Sequence, residues 1–522
     1  MKGQFDIAVV GSGFAGSLMA MIAKRLGRSV ILLDKGKHPR VAIGESSTPL
    51  TNLLLEELAT QYDLPALRPL VKWGSWQRRY PEIACGLKRG FTFYHHDLKQ
   101  PESRPPGREK QLLVAASPND EIADTHWYRA DFDRFLVSRA QELGIEYYDE
   151  VAIDSLFQSE TGVRLTGVRN QQRLDISAKF LIDASGPRGF LHRALGLREI
   201  DFADYPATQA LYNHFTGVGR LQETPFGANE DRPPYPIDAA AVHHVFDSGW
   251  IWVLQFNNGV TSAGIAASGR SAADLGLADG EVAWRRILEK IPALAEQFAE
   301  AMPERSFTHL PKLSFLSSSI AGERWAMLPS AAGFVDPMLS TGFPLTLLGI
   351  ARLAKIIEHD WETSRIAESL QTYARQTREE LYATSRLISA LYTNMGNSQV
   401  FSALTLLYFA AASYSETARR LGKDQLATSF LLHDHPFFGP VSFDLLGRAQ
   451  APLTANESEL LVEDIFRAIE PIDVAGLGNG QRRNWYPVDA DDLVGAAWKV
   501  EATQSEIAEL LHRCGFPMTQ TP

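Results

Sequence analysis

The sequence predicts an α/β fold on three observations. The apolar run Phe5 to Val10 meets Gly11-Ser12-Gly13-Phe14-Ala15-Gly16, an apolar helix follows, and a second apolar run, Val30 to Leu33, ends in Asp34. A similar strand, Phe180 to Ile182, ends in Asp183-Ala184-Ser185-Gly186. Between 205 and 270 the pattern is one of strands, whereas from Leu345 onward it is mostly helical. Together these describe a Rossmann-like dinucleotide-binding domain, an inserted β-sheet lobe and a mostly helical C-terminal region.

Each part of the opening βαβ unit has a physical task. Gly11 allows the tight turn off the strand, and Gly13 lets backbone approach a pyrophosphate. Gly16 lets the helix pack close to the sheet, while Asp34 can hold ribose hydroxyls. The helix start, with Ala15 in its first turn, presents unpaired N–H groups and the positive end of its dipole. Gly11, Gly13, Ala15, Gly16 and Asp34 are therefore expected dinucleotide contacts.

The remaining elements follow in order. His38 to Pro49 is a glycine- and hydroxyl-rich loop before a helix of apolar period Leu53, Leu54, Leu58. Residues 84–95 read as a hairpin, with Gly86 and Gly90 flanking Leu87-Lys88-Arg89. Residues 100–122, rich in Pro, Glu, Arg and Lys, read as a mobile surface loop. Trp127-Tyr128-Arg129 reads as a short strand, and Asp131 or Asp133 opens a helix through Ala140. Strands recur from Val151 to Leu174, and the aromatic run Gly249 to Phe256 belongs to the sheet lobe. The chain returns to the first lobe through Arg324 to Pro329 and the loop Gly333 to Gly342. The domain boundaries expected are 1–200 with 305–355, then 201–304 for a substrate lobe, then 356–522.

Composition narrows the function. The chain has 522 residues, 45% of them hydrophobic, enough for a large core in two or three lobes. Its net charge of −11 argues against nucleic acid and against an anionic membrane surface. Two distant cysteines, Cys85 and Cys514, form no metal spacing or disulfide framework, which points to a reducing cytoplasm. The apolar run Val400 to Ser413 is too short to span a bilayer and reads as a buried or interfacial helix. His95-His96 and His243-His244 face opposite ways along strands and make poor joint ligands. His433-Asp434-His435 reads as a polar helix end, so no metal is expected.

The spacing of cofactor-like elements separates nicotinamide from flavin. Such elements recur near 11–16, 183–186 and 333–342 with a sheet lobe between them, which fits the large FAD-dependent monooxygenase-like fold. Within that fold four segments carry a narrower likeness: Gly44-Glu45-Ser46-Ser47-Thr48-Pro49, Gly86-Leu87-Lys88-Arg89-Gly90-Phe91, Trp250-Ile251-Trp252-Val253-Leu254-Gln255, and Gly333 through Asp336 to Thr341-Gly342. In these the chain resembles the flavin-dependent halogenases, over most of residues 5–355. The helical tail is similar to that family only in character.

The resemblance implies a reaction and its residues. Reduced FAD and molecular oxygen convert chloride or bromide to hypohalous acid, and a lysine relays the halogen to a small electron-rich aromatic. Lys88 matches that lysine, and Arg89 beside it is the structural charge. Trp250 and Trp252 match two tryptophans that separate the flavin side from the substrate side. Thr341 and Gly342 match the halide-binding backbone. Gly44, Glu45, Ser46, Arg129, Asp183, Gly333 and Asp336 complete the expected FAD contacts. The chain departs from the family at Leu254 and Gln255, which replace Ile and Pro. Leu339 stands where tryptophan halogenases carry glutamate, and Pro329-Ser330 replaces a Gly-Asp pair.

One nucleotide fingerprint is visible, so reduced FAD is expected from a separate flavin reductase by diffusion. The oligomer stays open between monomer and homodimer. A hydroxylating FAD monooxygenase, acting on a free or peptide-borne aromatic, is the alternative enzyme. A redox-sensing flavoprotein is the alternative outside catalysis.

Overall fold

The computed structural model describes residues 2–101, 106–227 and 232–516. It opens with the βαβ unit the sequence predicts: β1 (Lys2–Val10), α1 (Phe14–Arg25) and β2 (Val30–Leu33). Ile7, Ala8, Val9 and Ile31 to Leu33 are fully buried, because a parallel sheet covered on both faces needs apolar residues on both. Next comes α2 (Pro49–Gln61), started by Pro49 at its first position and by the Thr48 hydroxyl, which accepts from the Thr51 N–H. It is followed by α3 (Trp73–Arg79).

The middle of the chain supplies β3 (Cys85–Lys88), β4 (Gly90–His95), β5 (Gln111–Ala115), β6 (Asp124–Trp127), α4 (Arg129–Glu142) and β7 (Glu146–Tyr148). Then come β8 (Ala152–Ser159), β9 (Gly162–Arg169) and β10 (Gln172–Asp183), and after them β11 (Thr208–Thr216), β12 (Ala241–Phe246), β13 (Gly249–Gln255) and β14 (Val260–Ser268).

Two large sheets result. In the first, β1 lies between β10 and β2 in parallel register, with Val10 opposite both Asp183 and Leu33. The Gly11 turn, Asp34 and the Asp183 segment therefore share the carboxyl edge of one sheet, the usual ligand side of such folds. The nine-stranded second sheet includes β11, β14, β13, β12, β4 and β5 in that order. The aromatic run read in the sheet lobe is β13, at the centre of this sheet.

Three local readings are corrected. Residues 84–95 are not a hairpin: β3 pairs with β6, while β4 joins the large sheet between β12 and β5. Arg89 sits at the crossing, its backbone N–H bonded to Ala239 and its guanidinium to Asp120 at 2.7 Å. Residues 100–122 are not a surface loop throughout, since β5 is an interior strand with Leu112 and Leu113 fully buried; residues 102–105 of that stretch lie outside the described residues. Its Pro and charged residues masked the short apolar run. Trp127-Tyr128-Arg129 is not one strand, because β6 ends at Trp127 and α4 already begins at Arg129.

The C-terminal region is helical as read, with long helices Gly342–His359, Ile366–Thr393 and Ser398–Arg420. Met338–His359 is the one described stretch long and apolar enough to cross a membrane, and 67% of its apolar window is buried within the protein. It is a core helix packed on α1, α2 and Ile366–Thr393. The run Val400 to Ala411 is buried inside Ser398–Arg420.

β3 is pressed against the end of β13. A Cβ added to Gly86 would lie 2.1 Å from the Gln255 carbonyl oxygen and 2.9 Å from His126. Gly86→Ala is therefore predicted to destabilise the fold by about 1–3 kcal/mol through overpacking. A thermal midpoint equal to wild type by calorimetry would show that β3 has room to yield.

Candidate active site

The glycine turn has the geometry a diphosphate requires. Gly11 has φ +102°, and a Cβ there would meet the Ala184 carbonyl oxygen at 2.5 Å. Gly13 is the N-cap of α1 and makes no side-chain cap, so the first N–H groups of the helix point outward. Arg129 lies against this turn: its guanidinium carbon is 5.1 Å from the Phe14 ring centre. It forms a bidentate pair with Asp133 at 2.8 Å and donates to the Gly44 carbonyl at 3.0 Å. The structure thus brings Gly11, Gly13, Gly44 and Arg129 to one place.

The start of the helix Gly342–His359 joins them. Phe343 packs on Phe14 with ring centres 5.0 Å apart and on Trp127 at 4.4 Å. Thr341 is buried, and Gly342 has open space where a Cβ would sit. Just before it, Leu339 and Ser340 both take left-handed backbone, φ +61° and +56°. The Leu339 carbonyl accepts from the Tyr408 hydroxyl at 2.9 Å, so this loop is braced from the C-terminal region.

At the other end of the turn, Asp34 is buried and accepts from the Ser12 N–H and hydroxyl, the Gly36 N–H and Arg40. Its Oδ1 takes only Gly36, which leaves acceptor capacity for a hydroxyl. Arg40 and His38 each have one buried side-chain nitrogen without a hydrogen-bond partner, Nε and Nδ1. An open guanidinium N–H on Arg40 and an open ring nitrogen on His38, beside an acid, fit the ribose and phosphate end of a dinucleotide. Sequence reasoning missed His38 and Arg40, which look like ordinary loop charges a few residues after Asp34.

Lys88 is fully buried. Its ammonium donates to the Ser46 hydroxyl at 2.7 Å and the Ser47 carbonyl at 2.5 Å, and lies 3.6 Å from the Phe91 ring centre. Burial pushes it down to about 7. The loop 44–49 thus touches Arg129 at one end and Lys88 at the other. Glu45, between them, is buried with its carboxylate 2.8 Å from His214 Nε2 on β11.

From Phe91 an aromatic band runs inward. His243 stacks on Phe91 and Phe93 at 5.9 and 4.5 Å, Trp250 lies 5.3 Å from His243, and Trp252 lies 5.6 Å from Trp250. Trp250 donates to Tyr392, whose hydroxyl donates to Asp336 at 2.9 Å. Burial raises Asp336 to about 6, and Tyr205 and the Met338 N–H also bond it.

Two of the read contacts have their groups engaged within the chain. The Asp183 carboxylate accepts from Ser185 and from the Leu191 N–H. Gly333 pairs with Leu316 and would meet Leu381 at 2.7 Å if it carried a Cβ. The histidines pair across the sequence: His96, just past the end of β4, has its Nε2 2.9 Å from the Nδ1 of His244 on β12.

A cavity of about 160 Å³ opens beside Phe91, walled by Val114, Tyr408, Phe409, Tyr486 and Leu511, with Lys72, Glu416 and Arg420 as charged neighbours. Its lining comes from the start of α2, Lys72, β4, β5 and the residues after it, and the C-terminal region, and none of it from 201–304.

Comparison with known proteins agrees with this arrangement. Residues 120–401, more than half of the chain, match the family described as tryptophan halogenase. Monodechloroaminopyrrolnitrin halogenase PrnC of Pseudomonas fluorescens is 26% identical over 488 residues, 90% of this chain and 83% of its own length. Tetracycline 7-halogenase of Kitasatospora aureofaciens is 29% identical over 378 residues, 70% of this chain and 66% of its own. Among solved structures, halogenase PltM superposes with a TM-score of 0.80 at 24% identity, covering 92% of this chain and 99% of that one. Its complex with phloroglucinol and FAD gives 0.79 at 23% identity, with the same coverage. The chain belongs to the tryptophan halogenase family and is an FAD-dependent, halogenase-type oxidoreductase.

Proposed function

We propose that this enzyme uses reduced FAD, molecular oxygen and chloride or bromide to halogenate a small electron-rich aromatic, with Lys88 relaying the halogen. The observation that carries this reading is a fully buried lysine held by Ser46 and Ser47 and packed on Phe91, which walls a mostly apolar cavity. Gly11, Gly13, Ala15, Gly16, Asp34, Gly44 and Arg129 hold the FAD. Reduced and bound there, FAD supplies with oxygen the oxidising power that turns halide into hypohalous acid. Thr341 and Gly342, at a helix start with outward N–H groups, hold the halide. Trp250 and Trp252 keep water from the path between flavin and Lys88.

The substrate sits in the cavity between β4–β5 and the C-terminal helices, where Phe91 is a wall shared with Lys88. Glu45 and Asp336 serve this arrangement indirectly, Glu45 by fixing the loop through His214 and Asp336 by fixing Trp250 through Tyr392. Asp183 and Gly333 serve the backbone.

Lys88→Ala is predicted to fold and retain FAD, and to form peroxide from reduced flavin and oxygen, but to yield no halogenated product. Lys88→Arg should not restore it, since a guanidinium stays protonated. In wild type, product formation should rise with pH through about 7, because the amine is the reactive form and the ammonium dominates below that value. Mass spectrometry of phloroglucinol incubated with reduced FAD, oxygen and bromide reads all three outcomes. Near wild-type halogenation by the alanine variant would sink the reading, and oxygenated product independent of halide would favour the hydroxylase.

Phenols should be halogenated in preference to free tryptophan. Leu339 removes the carboxylate that would stabilise charge developing on an indole. Regioselective tryptophan halogenation at a comparable rate would contradict this.

We further propose that reduced FAD arrives from a separate reductase by diffusion. Anaerobic mixing with NADPH alone should leave the bound flavin oxidised, and rapid bleaching would refute it.

A further inference from the structure

We infer that Asp124 is the positioning residue of Lys88: its carboxylate is the counter-charge that decides whether Lys88 holds its proton when the halogen arrives. This rests on the relay role of Lys88 proposed above. β3 and β6 pair antiparallel with Lys88 directly opposite Asp124, so both side chains leave the same face of the ribbon. Both are buried, Lys88 at 0% exposure and Asp124 at 1%.

The carboxylate is held from one side only. Its Oδ1 accepts from Asn52 Nδ2 at 2.7 Å, and the same amide donates to the Ser47 hydroxyl at 3.2 Å. Asp124 Oδ2, also buried, has no hydrogen-bond partner among the described residues. A buried carboxylate oxygen without a donor is costly and rarely kept without a use. Here Asn52 fixes the acid to the loop that also holds Lys88, and leaves one oxygen free.

The surroundings leave Asp124 as the electrostatic partner. It faces Lys72 at the start of α3 and Glu416 on the helix Ser398–Arg420, besides Lys88 itself. Lys88 in turn is faced by His126 and His243. Burial holds both histidines far below their ordinary value, so neither carries charge near neutrality. Among the described residues, Asp124 is the group whose charge favours the Lys88 ammonium.

Two states of the pair follow, ammonium with carboxylate or amine with carboxylic acid. In passing between them one N–H bond of Lys88 breaks and one O–H bond forms on Asp124, with no net charge change in the site. The freed nitrogen lone pair then takes the halogen from hypohalous acid. The N–X bond forms as O–X breaks, and the departing hydroxide leaves as water with a second proton from the same nitrogen.

Asp124→Asn keeps the shape but removes the counter-charge, so Lys88 should lose its proton at lower pH, by about one unit or more. The measurement is a ¹³C NMR titration of the lysine ε-carbons, with the Lys88 signal assigned by its loss in Lys88→Ala. The pH profile of phloroglucinol bromination should move in parallel, and Asp124→Glu should return both towards wild type. If Asp124→Asn does not fold, Asn52→Ala tests the same point. It strips the bond that favours the Asp124 anion and should shift Lys88 in the same direction.

A purely structural Asp124 would lower stability or rate without moving either midpoint, which would overturn the inference. Unmoved midpoints alongside an inactive Lys88→Ala overturn the role of Asp124 alone. An active Lys88→Ala overturns the relay itself and this inference with it.

Discussion

Burying one ammonium is the constraint on which the site depends. A charged group taken from water is tolerated only when hydrogen-bonded and electrostatically matched. Lys88 meets that demand with the Ser46 hydroxyl, the Ser47 carbonyl and the face of Phe91. Two of those partners come from the loop 44–49 and the third from a strand of the second sheet. Holding them together fixes the loop 44–49, and through Gly44 that loop fixes Arg129 against the glycine turn. The burial of Lys88 and the shape of the nucleotide side are thus two ends of one short segment.

The same economy appears in how distant parts of the chain meet. Phe14, from the first turn of α1, packs edge-to-face against Phe343 at the start of a helix more than three hundred residues later. Trp250 is held by Tyr392, and Tyr392 by Asp336, so a strand, a C-terminal helix and the loop before Thr341 share one hydrogen-bonded chain. Each link is buried, where a hydrogen bond left unmade would be expensive. That cost keeps the aromatic band in register with the two sheets.

Much of this was legible in the sequence because it rests on local rules. Gly11, Gly13, Gly16 and Asp34 stand at fixed offsets from a strand, and the structure places them at one sheet edge. The pairing of β3 with β6 was not legible, since a two-stranded ribbon between remote segments leaves no local turn signal. β5 was hidden for a related reason: Leu112-Leu113-Val114 is a short run preceded by Arg108-Glu109-Lys110, and its burial is decided by β4. The partners of Glu45 and Asp336, His214 and Tyr392, were not legible either, because they lie 169 and 56 residues away. His38 and Arg40 were overlooked since nothing in the spacing distinguishes them from ordinary loop charges.

The wall of the cavity has a consequence for how such enzymes diverge. The stretch that matches the family ends at residue 401, yet Tyr408, Phe409, Tyr486 and Leu511 all lie beyond it and all line the cavity. The glycine turn and Lys88 are therefore encoded apart from most of the residues that line this cavity. A change in the tail alters most of that lining and leaves the glycine turn and Lys88 as they are, provided a hydroxyl at Tyr408 still braces the Leu339 carbonyl. The dinucleotide turn and the cavity lining are, in this chain, carried largely by different stretches of the gene.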